Sequence, residues 1–413
     1  MTFSRYRIGS LARLSPWFGL GSLGLAAVLA TPACGSSPPV TGTGGAATGG
    51  APTSGGAPSS GGTGSGGLGS GGLGSGGLGS GGLGSGGASG GGSSTGGDSS
   101  SGGDGSGGTT SGAFSCPPGS DALTPTLTGT PAPLAGTLPP TPGDANGNSI
   151  MEGPVWIDGT LYLSQFREYG PLNPSQMVTH DGSAYSIFLP DSGTNGLAVQ
   201  DSGLILAASH GVGGLVEIDP AAATPVGTTV IAEYMGNRLN SPNDLAIRDD
   251  GNVYFTDPDF QCASPCDSQA DNRVYRYPAG GGDLEPITTG HANPNGIVLS
   301  IDGTKLYVAG GGGIEVYTLD AAGAVTAGPT AFGSGLSEVD GLGKDCAGNI
   351  YATANGDLNV LSPTGDPVGS KITVPNATTN VAFGGPSGTV LYITTRAAAG
   401  VYTLDVGIPG YPY

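Results

Sequence analysis

One short pattern, repeated six times, constrains this chain more than any other feature. A polar residue opens an apolar segment, a turn follows, and a β-rich segment returns. The copies begin at Glu152, Asn195, Asn243, Asn295, Asp340 and Asn380, spaced 40 to 52 residues apart. The first reads Glu152-Gly-Pro-Val-Trp-Ile-Asp-Gly-Thr-Leu-Tyr-Leu, and the fourth Asn295-Gly-Ile-Val-Leu-Ser-Ile-Asp-Gly-Thr-Lys-Leu-Tyr-Val. The turns carry Asp-Gly, Ser-Gly or a similar glycine pair, which supplies the positive φ that tight hairpins need. Further strand pairs lie between copies, such as Gly214 to Ile218, Arg273 to Tyr277 and Ile314 to Leu319. Four strands in each such interval make one blade of a radial array. The chain is therefore predicted to be all-β, a six-bladed β-propeller over residues 115–413, without helical periodicity. Val401 to Val406 and part of Thr124 to Leu138 are predicted to share the closing blade.

What precedes the repeats has no core of its own. Residues 35–114 are low-complexity Gly, Ser, Thr and Ala, and hold most of the chain's glycine excess. Leu68, Leu73, Leu78 and Leu83 recur there at a five-residue period that fits neither helix nor strand. This segment reads as a disordered Gly/Ser-rich linker, a coil with an r.m.s. span of about 50 Å. Residues 1–34 read as a signal peptide. Arg5, Arg7 and Arg13 precede the apolar run Trp17 to Ala30, which is short for a bilayer span and right for export. The run ends Thr31-Pro32-Ala33-Cys34, similar to a bacterial lipoprotein signal except that Leu is absent three residues before Cys34. The expected location is the cell envelope, with a lipid on Cys34 as the one membrane contact. Plain cleavage after Ala33 is the alternative, leaving a soluble periplasmic or secreted protein.

Charge and cysteine usage narrow the possibilities further. The net charge is −19, and 29 of the 31 Asp and Glu lie beyond residue 115, against nine of the 12 Lys and Arg. Such a surface repels phosphate backbones, so nucleic acid is excluded as a partner. Acidic loops instead favour a divalent cation. Beyond Cys34 stand Cys116, Cys262, Cys266 and Cys346, an even number that favours disulfides in an exported chain. Cys262 and Cys266 are near enough to pair in one loop, which leaves Cys116 with Cys346. Zinc is the competing reading, but no second Cys or His pair stands at ligand spacing.

The repeat places one polar residue at the head of each innermost strand. In a propeller these heads face one mouth of the central channel, so Glu152, Asn195, Asn243, Asn295, Asp340 and Asn380 converge although distant in sequence. Carboxylates and amide oxygens suit a hard cation, and calcium takes six to eight such ligands. Singly, an Asn before Gly often only serves a turn; the set at blade spacing is what carries the argument. A lone His is more often structural or exposed, with channel lining the competing reading for His210 and His291, and His180 reads as a surface turn residue. No Gly-x-Ser-x-Gly elbow joins a strand to a helix, and no phosphate loop is present. Gly310 to Gly313 reads as a tight strand connection.

Six motifs then resemble one family in order, over about residues 145 to 410. They are Glu152-Gly-Pro-Val-Trp156, Arg238-Leu-Asn-Ser-Pro-Asn-Asp244, Tyr254-Phe-Thr-Asp-Pro258, Pro294-Asn-Gly296, Asp340-Gly341 and Thr379-Asn-Val-Ala-Phe-Gly-Gly385. Together they resemble the gluconolactonase, SMP-30 (regucalcin-like) and luciferin-regenerating-enzyme family. The resemblance implies a divalent metal, calcium foremost, with Zn2+, Mg2+ or Mn2+ as alternatives. It implies Glu152, Asn295 and Asp340 as metal ligands, Asp340 also as general base, and Asn243 in contact with substrate, with Asn195 and His210 beside it. The chain departs from the family pattern at His210 to Gly214 and at Ser241, where some relatives carry Arg. The implied function is a monomeric metal-dependent lactonase acting on a small lactone or ester, with the metal polarising the carbonyl. Two alternatives share that site: an esterase or phosphotriesterase, and a non-catalytic calcium-binding or partner-binding propeller.

Overall fold

Each pattern copy folds as a hairpin because its turn residues take the conformations the sequence demands. Asp158 (φ 47°) and Gly159 (φ 87°) both adopt positive φ and join strands Ile150–Ile157 and Thr160–Phe166. That is the two-residue turn whose twist matches the strands it connects. The structure, a computed structural model, describes residues 114–143, 149–167, 174–262, 268–289, 291–396 and 400–413. The signal segment, Cys34, the Gly-rich linker and Cys266 lie outside these residues.

The described residues form antiparallel strands and a single 3-10 turn, Ser120–Ala122. Four sheets are separate and four-stranded, with inner strands Thr194–Val199, Leu245–Ile247, Ile297–Leu299 and Val339–Lys344. This is two separate blades fewer than the repeat predicts. The copies headed by Glu152 and Asn380 lie instead in one eight-stranded sheet. One pair, Ile150 with Arg396, joins its two halves. The merger follows from the inner strand of the first copy starting early enough to meet the end of Val390–Arg396. The fold is thus all-β and propeller-like. Strand Ala132–Pro133 pairs with Val401–Asp405, so the two ends of the described chain close one sheet together.

Apolar faces of neighbouring sheets pack on one another. One cluster brings Val155, Tyr162 and Met177 of the first copy against Leu197, Ile205 and Val216 of the second. The inner strands also bond directly across sheets. Gly196 N donates to Asn243 O at 2.6 Å, and Gly296 N to Asp340 O at 2.7 Å. Hydroxyls on the second strands add to this: Thr256 Oγ1 donates to Asn295 O at 2.7 Å, and Thr353 Oγ1 to Thr379 O at 2.8 Å.

The C-terminal tail crosses the far end of this ring. Trp156 N donates to Pro412 O, Tyr411 N to Lys344 O and Phe383 N to Tyr411 O, at 3.0 to 3.1 Å. These three partners stand three or four residues beyond Glu152, Asp340 and Asn380 on their own strands, about 10–13 Å along. The Lys344 ammonium sits 3.9 Å from the Tyr411 ring centre. A disulfide, Cys116 to Cys346, fixes the start of the described chain to the same end. His180 is not a surface turn residue. It is buried, bonded to Ala135 O at 2.9 Å and set against the Tyr185 ring, because the segment before the first copy folds over it.

Candidate functional site

The site begins with a local irregularity shared by several inner strands. Pairing slips between Glu152 and Val155, Thr194 and Leu197, Val339 and Leu342, and Thr378 and Val381. A bulge of this kind bends a strand and re-aims a side chain. Here each falls at or beside a head residue and its successor. The successors are mostly glycine because space runs out at this level. A Cβ on Gly196 would stand 2.5 Å from Asp244 Oδ1, and one on Gly296 would stand 2.7 Å from Gly341 Cα. Neither glycine has a positive φ, so close approach of inner strands, rather than a turn, selects it.

Acids converge above and within this ring. Glu152, Asp244 and Asp340 are all buried. Burial pushes Glu152 well above the usual carboxylate range, and the nearby Asp340 and Asp244 charges push it further, while Asn380 and Arg396 pull it back. Burial raises Asp244 to about 7 against the hydrogen bonds from Leu245 N, Asn380 and Ile297 N, with Asp340 adding to the rise. Burial raises Asp340 too, opposed by the Arg396 guanidinium and by the Asn295 side chain. Asn380 Nδ2 lies 3.4 Å from Asp244 Oδ2, and Arg396 Nη2 lies 3.1 Å from Asp340 Oδ2.

Two observations say that this cluster suits a cation. Fully ionised, three carboxylates against one guanidinium leave two uncompensated negative charges in a desolvated place, the deficit one divalent ion removes. Independently, both amide atoms of Asn195, which is 1% exposed, lack any hydrogen-bond partner. A buried amide left unmatched costs free energy unless something polar joins it. The donors are oxygens from acids and amides, as calcium or magnesium prefers. Among the described residues no three His, Cys, Asp or Glu side chains stand together at ligand spacing.

The structure thus brings Glu152, Asn295, Asp340 and Asn380 into one neighbourhood. Asn243 is buried with its backbone in the ring: its N donates to Thr256 O and its O accepts from Gly196 N. His210 is fully buried, with its ring 5.3 Å from that of Phe166. His291 belongs elsewhere; it pairs with Glu315 at 3.2 Å beside a groove lined by Thr288, Tyr317 and Pro329. The pattern reading missed two members of the cluster. Asp244 follows a head residue and stood inside a quoted motif. Arg396 ends a second strand, outside the heads altogether. Below the ring a cavity of about 70 Å3 runs from Gly153, Asp244 and Asn380 to Phe114, Tyr411 and Tyr413.

A propeller-like array with acids and amides gathered at one mouth of a tail-closed channel is the class that fold and site define. The SMP-30/Gluconolactonase/LRE-like region matches residues 150–397, from the first repeat to just past Arg396, and the chain belongs to that family. It is 33% identical over 273 residues to a gluconolactonase of Zymomonas mobilis subsp. mobilis, covering 59% of this chain and 75% of that one. Its structure is similar to that of a gluconolactonase from Xanthomonas campestris, with TM-score 0.54, 25% identity and coverage of 65% and 98%. It shares its fold with regucalcin, a calcium-binding protein from Agrobacterium tumefaciens, at TM-score 0.50, 20% identity and coverage of 68% and 97%.

Proposed function

We propose that the protein is a divalent-cation-dependent lactonase that opens a sugar lactone or similar cyclic ester. The observation that carries this reading is that Glu152, Asp244 and Asp340, buried and on separate strands, feel one another's charge, with Asn380 bonded to Asp244 and Arg396 to Asp340. Family membership supports the reaction class. Glu152, Asn295 and Asp340 would hold the ion, with Asn195 and Asn243 beside them. When bound, a divalent cation supplies Lewis acidity toward a lactone carbonyl.

The chain's own groups do the remainder. Burial of the acids keeps the site dry, which strengthens every charge interaction within it. Asp340 takes the proton from the attacking water while Arg396 holds its Oδ2 in place. Asn243 and Asn380 orient the substrate's hydroxyls. The tail across Lys344 and Trp156 leaves the opposite mouth as the entrance.

The proposal extends to the whole chain. The eight-stranded sheet counts as two blades joined by one pair, which makes six with the four separate sheets. The domain spans residues 115–413, follows a Gly-rich tether of residues 35–114, and hangs in the cell envelope from a lipid on Cys34. The basic start, the short apolar run and the small residues before that cysteine support this export route. Cys262 with Cys266 would form the second disulfide. Adding Ca2+, Mg2+, Mn2+ or Zn2+ in turn to metal-free protein with a panel of lactones, aryl esters and phosphotriesters tests the function. Lactone opening that depends on one of these ions supports it. Ion binding with no hydrolysis of any substrate would show a binding module instead.

A further inference from the structure

Each slip in an inner strand leaves two of its residues facing one on the second strand. In the sheet of Asp340 the facing residue is Thr353, since Val339 pairs with Ala354 and Leu342 with Ala352. At the sixth copy it is Thr394, since Thr378 pairs with Thr395 and Val381 with Ile393. Both hydroxyls accept bonds that the slipped ladder gives up: Gly341 N donates to Thr353 Oγ1 and Asn380 N to Thr394 Oγ1, each at 2.8 Å. The bonding then continues onward. Thr353 Oγ1 donates to Thr379 O at 2.8 Å, while Thr379 Oγ1 donates to Met151 O at 2.6 Å and lies 2.8 Å from Thr394 Oγ1. Thr353, Thr379, Thr394 and Met151 are all fully buried. A chain of hydroxyls therefore runs from Gly341, the residue after Asp340, to Met151, the residue before Glu152.

The sheets themselves do not need these hydroxyls. The residue facing the slip in the second copy is Ala208, between the pairs Thr194 with Ser209 and Leu197 with Ala207. In the fourth copy Ala309 makes with Asn295 and Gly296 the backbone bonds that Thr256 makes with Asn243 and Asp244. Two sheets thus form with only a methyl at this position. The threonines stand instead beside the acids. Thr353 and Thr379 link the strands of Asp340 and Glu152, and Thr256 accepts from Asp244 N at 3.1 Å while donating to Asn295 O. When ionised, Glu152 and Asp340 repel each other, which drives their strands apart unless short, directional bonds fix them. We propose that Thr353 and Thr379 are positioning residues, setting the separation of Asp340 and Glu152 so that both carboxylates reach one divalent ion. The proposal rests on the lactonase reading and deepens it. Groups that orient metal ligands from behind govern affinity and rate without touching the ion.

The competing role for these hydroxyls is plain cohesion, which would lower stability and leave the ion alone. Thr379→Val, close in shape but without the hydroxyl, and Thr379→Ser, which keeps it, are compared with the parent for calcium affinity, glucono-lactone hydrolysis and melting temperature. The proposal expects Thr379→Val to lose roughly 10- to 100-fold in calcium affinity, with a fall in kcat of similar size, as loss of a group bonded behind a metal ligand does. Thr379→Ser stays near the parent in both. A Thr379→Val protein that melts lower than the parent yet binds calcium and opens the lactone as the parent does overturns the proposal, as do equal losses in Thr379→Ser. Thr353→Val, which leaves Met151 O bonded, is read the same way should Thr379→Val not fold. Should the parent neither bind calcium nor open a lactone, the lactonase reading fails by itself. Crystal structures of the metal-free parent and Thr379→Val then still decide. A Glu152–Asp340 separation changed by more than about 0.5 Å with the sheets intact upholds the positioning role, and an unchanged separation refutes it.

Discussion

At the scale of single residues, Asn195 says most about what the site awaits. Its amide is buried with neither atom bonded, at the head of an inner strand beside the acid cluster. A leucine fills nearly the same volume with nothing left unmatched. Asn195→Leu is thus expected to stabilise the metal-free protein by about 1–3 kcal/mol and to weaken calcium-dependent lactone opening. Thermal melts of the metal-free forms beside rate assays check both. A variant less stable than the parent would mean that the amide is already satisfied. The six heads were legible because the repeat assigns each the same structural position. Asp244 and Arg396 were not, since no repeat position demands an acid after Asn243 or a cation after Thr395. Asp244 answers to Asn380 and Arg396 to Asp340, partners that only the assembled ring supplies.

At the scale of elements, the bulged inner strand converts a repeat into a site. The Asn-Gly pairs suggested turns, but Gly196 and Gly296 sit in regular φ and serve the approach of neighbouring strands. Alternation of apolar residues fixes a strand and its facing; it says little about where register slips. The same limit explains the blade count, because a single extra pair at Ile150 decides whether two sheets merge. Gly196→Ala tests the crowding. Its Cβ would meet Asp244 Oδ1 at 2.5 Å, so the variant is expected to lose about 1–3 kcal/mol. It should also lose most lactonase activity, since Asp244 must move. Wild-type stability and rate, measured by urea unfolding and assay, would show the ring to be looser than described.

At the scale of the whole molecule, buried acids couple folding to pH and to the ion. Asp244 and Asp257 both rise to about 7 through burial. A carboxyl whose folded pKa exceeds its unfolded value of about 4 stabilises the fold fully below that value. The contribution is lost as pH rises through the folded pKa. Metal-free protein is expected to melt at lower temperature at pH 8 than at pH 5, and calcium to restore most of the loss at pH 8. A melting point that rises over that interval without metal contradicts the account. The same ring is what the disulfide Cys116–Cys346 and the C-terminal tail hold shut at its far end, features no repeat announces.

One substitution reaches the central claim most directly: that acids and amides from separate strands share a single divalent ion that lactone opening requires. Glu152→Gln keeps the shape and removes one charge. Calcium calorimetry on the parent is predicted to give one ion per chain, with glucono-lactone hydrolysis rising in step with occupancy. In Glu152→Gln, affinity should fall at least tenfold, since ligand charge sets affinity at such sites, and hydrolysis should fall with it. A Glu152→Gln protein that binds calcium and opens the lactone as the parent does would contradict the account.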